Sequence, residues 1–302
     1  MGENDTAVGV RFDAGAGLAA GAVAVLVALS ALGLSAGLWK VTVIAWVAFL
    51  AMAGAAPLGA RAARTTGEWT GGPEADRDRR GRSNARRLVW GYGLASGAMI
   101  ASAAAFVLPQ AISLHPKFGG FGVASGLVIG FGSHVVGHRL SHRDLPMDET
   151  AAHLSAHALS AGLIIGLVYG TMPSIGLLLG LAIVSHKGPA GYAAARRLAA
   201  AGRPAGVVLV PATGVGLTAI PAAYVALPRI DPLNAAVFGF AAGIFLHVAM
   251  DFLPRCEVGS EVTEITGITA TDHDLLDRLR IHAVASTLLG ALAVFLAWAA
   301  LA

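Results

Sequence analysis

Long apolar runs alternate with short polar gaps along this chain. The runs are continuous and fall at roughly 17–38, 41–60, 88–110, 119–136, 151–170, 174–195, 206–226, 235–254 and 281–301. A helix of about 20 residues crosses the hydrocarbon core of a bilayer, and it satisfies its own backbone hydrogen bonds there. Strands of a membrane barrel would instead alternate in polarity over about ten residues. The pattern predicts an all-α integral membrane protein with about nine transmembrane helices. The first run is not a good signal peptide, because Glu3, Asp5 and Asp13 precede it against the single Arg11 and it is too long for an h-region. Residues 1–40 are expected to form a cytoplasmic amino terminus and an extra N-terminal helix. Residues 41–302 then form an eight-helix domain, with polar cytoplasmic loops at 61–87 and 255–280.

Composition agrees with the pattern. Hydrophobic residues make up 56% and charged residues 13% of the chain, against about 25% charged in a soluble domain. The charge is confined to the gaps, and its sign sets an orientation. Eight arginines lie in 61–87, and with Arg11, Arg139, Arg143, Arg196, Arg197, Arg203, Arg255, Arg278 and Arg280 they share one side of a nine-helix arrangement. Only Lys40, Lys117 and Arg229 fall on the other side, and Lys187 lies within a span. Seventeen basic residues against three place the rich side in the cytoplasm. The expected location is the plasma membrane, with the amino terminus inside and the carboxyl terminus outside. The net charge of +3 reflects these loop arginines and requires no nucleic-acid partner. The single Cys256 excludes an intrachain disulfide.

A faint internal repeat relates ASGAMIASAAAFVLPQ (95–110) to AAGIFLHVAMDFLPR (241–255), each ending in Leu-Pro. Two central helices lie between the related flanks, a three-two-three order typical of inverted-repeat transporters. The 39 glycines would let such helices approach closely.

Ionisable groups within spans cost roughly 2.5–3.5 kcal/mol and are functional candidates by default. His153 and His157 lie i,i+4 on the fifth span and share a face. His186 and Lys187 lie on the sixth, and His247 and Asp251, again i,i+4, on the eighth. Neutral imidazole suits borderline metals such as zinc. Pro189, in HKGPAG, removes the helical partner of the Ser185 carbonyl. The bland alternative is that an intramembrane histidine is hydrogen-bonded to a neighbouring helix. For His247–Asp251 the choice lies between a metal site and a structural pair. His134, His138 and His142 form a stripe leaving the fourth span, either a metal exit relay or solvated interfacial histidines.

At the two central helices the chain resembles the ZIP family of divalent-metal transporters. That family's first central helix carries His-Asn-x-x-(Asp/Glu)-Gly, against HALSAG at 157–162 here, and its second carries His-Glu-x-Pro-(Glu/His), against HKGPAG at 186–191. The Leu-Pro-terminated spans at 88–114 and 239–254 also fit, and the likeness covers about 41–301, with 17–38 matching the additional first helix of some members. It implies a 3+2+3 bundle and a transport site at His157 and His186, with His153 as a relay one turn nearer the cytoplasm and alternating access between helix bundles. Lys187, Pro189, Ser160, Ala161 and Ala190 would line that site. The departures are at the anionic positions: Ala158 stands for the family's Asn, Ala161 and Ala190 for carboxylates, Lys187 for Glu, and Gln110 for the acid after Leu-Pro.

The resemblance therefore implies a carrier that moves a divalent transition metal, zinc foremost, into the cytoplasm. Its partners would be the metal, the lipid bilayer and, in a possible homodimer, a second copy. No permanently bound cofactor is expected. Two unit charges about 4 Å apart interact by about 4 kcal/mol at an effective dielectric near 20, so a divalent ion beside Lys187 would meet roughly twice that in repulsion. A neutral lysine, a pair with Asp251, or a side chain pointing out of the path would each relieve it. Ala161 and Ala190 also motivate a relative that carries another solute, anionic or proton-coupled, or a non-transporting sensor. An enzyme is not expected. GVASG at 122–126 has the wrong spacing for a rhomboid-like serine turn, HExxH is absent, and HLSAH sets both histidines on one helix, whereas bis-histidine haem draws them from two.

Overall fold

The computed structural model describes residues 4–67, 74–141, 149–172, 184–225, 230–254 and 273–301, with a few isolated positions between them. Within these, side chains are described except at 4–16, 65–80, 133–150, His153, His273 and Leu301. Every regular element among the described residues is helical. In chain order they are α1 (Asn4–Ser35), α2 (Trp39–Gly67), α3 (Glu74–Ser102), a π turn (Ala103–Val107), α4 (Leu108–Leu114), α5 (Pro116–Ser141) and α6 (Glu149–Thr171). After them come α7 (Lys187–Ala200), a 3-10 turn (Ala205–Val208), α8 (Leu209–Ala222), α9 (Asp231–Asp251) and α10 (His273–Leu301).

Among the described residues, seven helical stretches are long and apolar enough to cross a membrane: Gly17–Ser35, Trp39–Arg64, Gly81–Leu114, Leu154–Thr171, Ala205–Ala222, Asp231–Asp251 and Asp274–Ala300. They match seven of the expected spans within a few residues, except that the third and the last begin well before residues 88 and 281. The expected span at 119–136 falls in α5, whose later side chains lie outside the description. The one at 174–195 runs largely through residues outside it before entering α7.

Three expectations change. The arginine-rich stretch 61–87 is helical rather than a loop wherever it is described, since α2 runs to Gly67 and α3 begins at Glu74. Glu74, Asp76 and Asp78 stand at the start of that helix, each three or four residues before an arginine in the sequence. Polarity here reports solvation, not loss of helix. Secondly, the sixth span is interrupted, with a turn at Ser185–His186 and a fresh helix from Lys187. Pro189 sits in the first turn of α7, where its missing N–H costs nothing. Lastly, α10 begins at His273, so the last part of 255–280 is helical and the rest lies outside the described residues.

The chain forms two compact units, neither contiguous in sequence. The first comprises Met1–Ala63, Gly137–Ser174 and Ala190–Ala226; the second comprises Arg64–Val136, Ile175–Pro189 and Leu227–Ala302. Within the first unit, Trp46 Nε1–H donates to Ser30 Oγ at 2.9 Å and the Tyr224 hydroxyl to the Leu32 carbonyl at 2.9 Å, which fastens α1 to α2 and α8. Gly37 and Gly202, at φ 77° and 71°, end α1 and α7 in the left-handed conformation that glycine adopts freely. Each is followed by the paired backbone bonds of a Schellman motif, Leu38 N–H to Gly33 O at 2.8 Å and Arg203 N–H to Leu198 O at 2.7 Å.

Helices inside each unit meet backbone to backbone. In the first, a Cβ on Gly162 or Gly166 of α6 would strike the Val215 or Ala219 carbonyl of α8, and one on Gly191 of α7 would strike the Met52 carbonyl of α2. Thr218 of α8 also donates to the Leu159 carbonyl of α6 at 2.7 Å. In the second unit, Gly122 and Gly126 of α5 interlock with Gly239 and Gly243 of α9, and Gly93 and Gly97 of α3 abut Ser286 and Thr287 of α10. Met99 of α3 packs with Val248 and Ala249 of α9. In the first unit Gly216 of α8 faces Ala45 of α2. Exchanging α2 with α8, α3 with α9, α5 with α10 and α6 with α7 maps this set of pairings onto itself.

Gly243→Val should therefore push α5 and α9 apart, at a cost near the upper end of overpacking, about 3 kcal/mol. Gly21→Val on α1, where a new Cβ meets nothing within 4 Å, should change stability by less than about 0.5 kcal/mol. Thermal unfolding of the two variants in detergent makes the comparison, and equal losses would contradict the interlock.

Candidate functional site

In the second unit the interrupted sixth span brings its ionisable pair against α3 and the end of α9. The His186 ring lies 4.9 Å from that of Phe252, tilted by 47°, and Phe252 lies 5.5 Å from Tyr92. Pro189 packs on α3 at Gly91, where a Cβ would stand 3.4 Å from Pro189 Cγ. Phe252 immediately follows α9, so His186 is level with the carboxyl end of that helix rather than its middle. His186 and Lys187 are each 1% exposed, and Lys187 is among the largest fully buried side chains of the described residues. Lys187 Nζ has no hydrogen-bond partner among the described residues, and neither do the buried hydroxyls of Ser96 and Ser102.

His157 belongs to the first unit, half-buried on α6. Ser160 is exposed, and its hydroxyl donates to the His157 carbonyl at 3.0 Å, so it serves its own helix. Ala161 and Ala190 are buried. Ala158 is wholly buried where α6 meets α8, and a Cβ on Gly214 would come within 2.8 Å of its methyl. This position is a tight helix contact with no room for a polar side chain. His153 is on α6, but its side chain lies outside the described residues, as do those of His134, His138 and His142.

His247 and Asp251 are brought together. Nε2 of His247 lies 3.2 Å from Oδ2 of Asp251, the side chains being 13% and 38% exposed. The imidazole lies against Gly130 of α5, where a Cβ would come within 2.6 Å of Cδ2. Glycine there makes room for the ring, and the carboxylate orients it. Among the described residues, no group of three or more His, Cys, Asp or Glu stands together as a metal-binding set.

One polar pair escaped the sequence reading. Trp90 Nε1–H of α3 donates to His282 Nδ1 of α10 at 3.3 Å. His282 is the sole ionisable residue of the run 281–301, a signal that its place at the edge of the run obscured. Beside it Ser286 Oγ is shared between the Val89 carbonyl at 3.3 Å and that of Ala283 at 3.0 Å.

No family model matches the chain, and no curated protein matches it.

The His247–Asp251 contact is a part-exposed pair on one helix, and such pairs are worth about 1 kcal/mol at most. Asp251→Ala should lower stability by about 0.6 kcal/mol, the average for polar side-chain contacts in membrane proteins, measured by thermal unfolding in detergent. A loss several times larger would place the pair in a wider network.

Proposed function

We propose that this protein is a ZIP-like carrier that moves a divalent transition metal, zinc foremost, across the plasma membrane into the cytoplasm. The observation that carries this reading is the motif pair HALSAG and HKGPAG on consecutive central helices, with Leu-Pro-terminated helices before and after. His157 and His186 serve as the transport ligands and His153 as a relay. The nine-helix, 3+2+3 arrangement has further support in the helix pairing. The exchange that preserves the close contacts relates α2, α3 and α5 to α8, α9 and α10, and α6 to α7. With nine spans, each such pair runs in opposite directions through the membrane, as inverted repeats do.

A second reading is favoured by the buried methyl groups of Ala161 and Ala190 and by the fit of Ala158 against Gly214. Here the fold persists, but the solute is not a metal, or the protein senses rather than transports.

Purified protein in proteoliposomes should take up zinc saturably, and His157→Ala with His186→Ala should reduce the rate at least tenfold. Uptake that survives the double substitution removes these ligands. A wild-type protein that moves no zinc, iron or manganese favours the second reading. Orientation is tested separately with the native Cys256. A membrane-impermeant maleimide should label it in inside-out vesicles and leave it unlabelled in intact cells.

A further inference from the structure

We propose that the amino end of α7 is a binding site for a small monovalent anion, with Lys187 as its counter-charge. Lys187 is the first residue of a 14-residue helix. The opening N–H groups of a helix lack intrahelical acceptors and sit at the positive end of its dipole, an arrangement that receives anions. Side chains on a helix slant toward its amino end, so the Lys187 chain leans back over those N–H groups. The ammonium is 99% buried (1% exposed) and has no acceptor among the described residues.

The surroundings sharpen the choice of ligand. On one flank His186 lies on Phe252, and Phe252 on Tyr92; on the other, Pro189 lies on Gly91. These apolar and aromatic walls make an uncompensated charge costly and a neutral ion pair tolerable. The nearby carboxylate of Asp251 is engaged by His247. A single cation at the positive end of a helix suits a halide, nitrate or small carboxylate. A dianion would leave one charge uncompensated. Anion binding here is independent of whether the chain carries metal.

The test uses the full-length protein in detergent with a chelator present, so that the fate of the metal reading does not affect it. Sodium sulfate supplies the reference ionic strength and is replaced stepwise by chloride, nitrate or acetate. At least one monovalent anion should raise the unfolding midpoint saturably, by about 5 °C near saturation. A response to chloride and nitrate alone identifies an inorganic ligand, and a stronger response to acetate a carboxylate. Lys187→Arg should keep the rise. Lys187→Met should abolish it, while unfolding in sulfate no earlier than the wild type, because an uncompensated buried charge has gone. A wild-type midpoint indifferent to all three anions overturns the assignment, and so does a rise that survives in Lys187→Met. Failure of both Lys187→Met and Lys187→Gln to fold in sulfate also overturns it, since the ammonium would then already hold a partner in the native protein.

Discussion

Contact between helix backbones, made possible by glycine, is the constraint on which this structure depends. Lipid tails are as apolar as leucine, so no hydrophobic force drives one helix onto another inside a bilayer. Association has to come from dispersion at close range and from the few hydrogen bonds that reach across, such as Thr218 to the Leu159 carbonyl. Each unit meets this requirement with small residues facing inward. Many large ones are turned out: Ile281, Val284, Leu288 and Leu292 of α10 and Phe121, Val128 and Phe131 of α5 are exposed. That distribution inverts a soluble protein's and is what lipid solvent requires.

The same contacts explain why neither unit is contiguous in sequence. In the second unit α3 packs on α10 and α5 on α9, and in the first α8 packs on α6 and α2 on α7. Each unit therefore needs both halves of the chain before its close contacts can form. Helix α1 is held by polar bonds through Ser30 and the Leu32 carbonyl, and by the close packing of Leu26 on Gly216 and of Gly33 on Thr42 and Ile220.

Hydropathy made the spans legible, because a bilayer imposes length and polarity together. It did not reveal the helical start of α3, where charge signals water whatever the backbone does. The pairing of His247 with Asp251 could be read from their spacing, because four residues bring two side chains to one face. Helix partners could not be read that way. Gly17 and Gly21 have the same spacing as Gly122 and Gly126, yet only the second pair meets another helix. A residue without a side chain carries no sign of the direction it faces. Likewise Pro189 announced a perturbed helix, but whether it bends one or starts another depends on the preceding residues, and here it starts α7.

The sign of the buried charge decides what the central helices can hold. Carboxylates at positions 161, 187 and 190 would attract a divalent cation. Two methyl groups and an ammonium do not, and the two imidazoles bring no formal charge to offset them. In a medium of low dielectric the repulsion from Lys187 is strong, so a divalent ion beside His186 would need that charge cancelled. An anion seated on the amino end of α7 would cancel it where it arises. Metal transport and the anion site are then compatible, because the group that opposes a metal in isolation ceases to oppose it once its own counter-ion is bound.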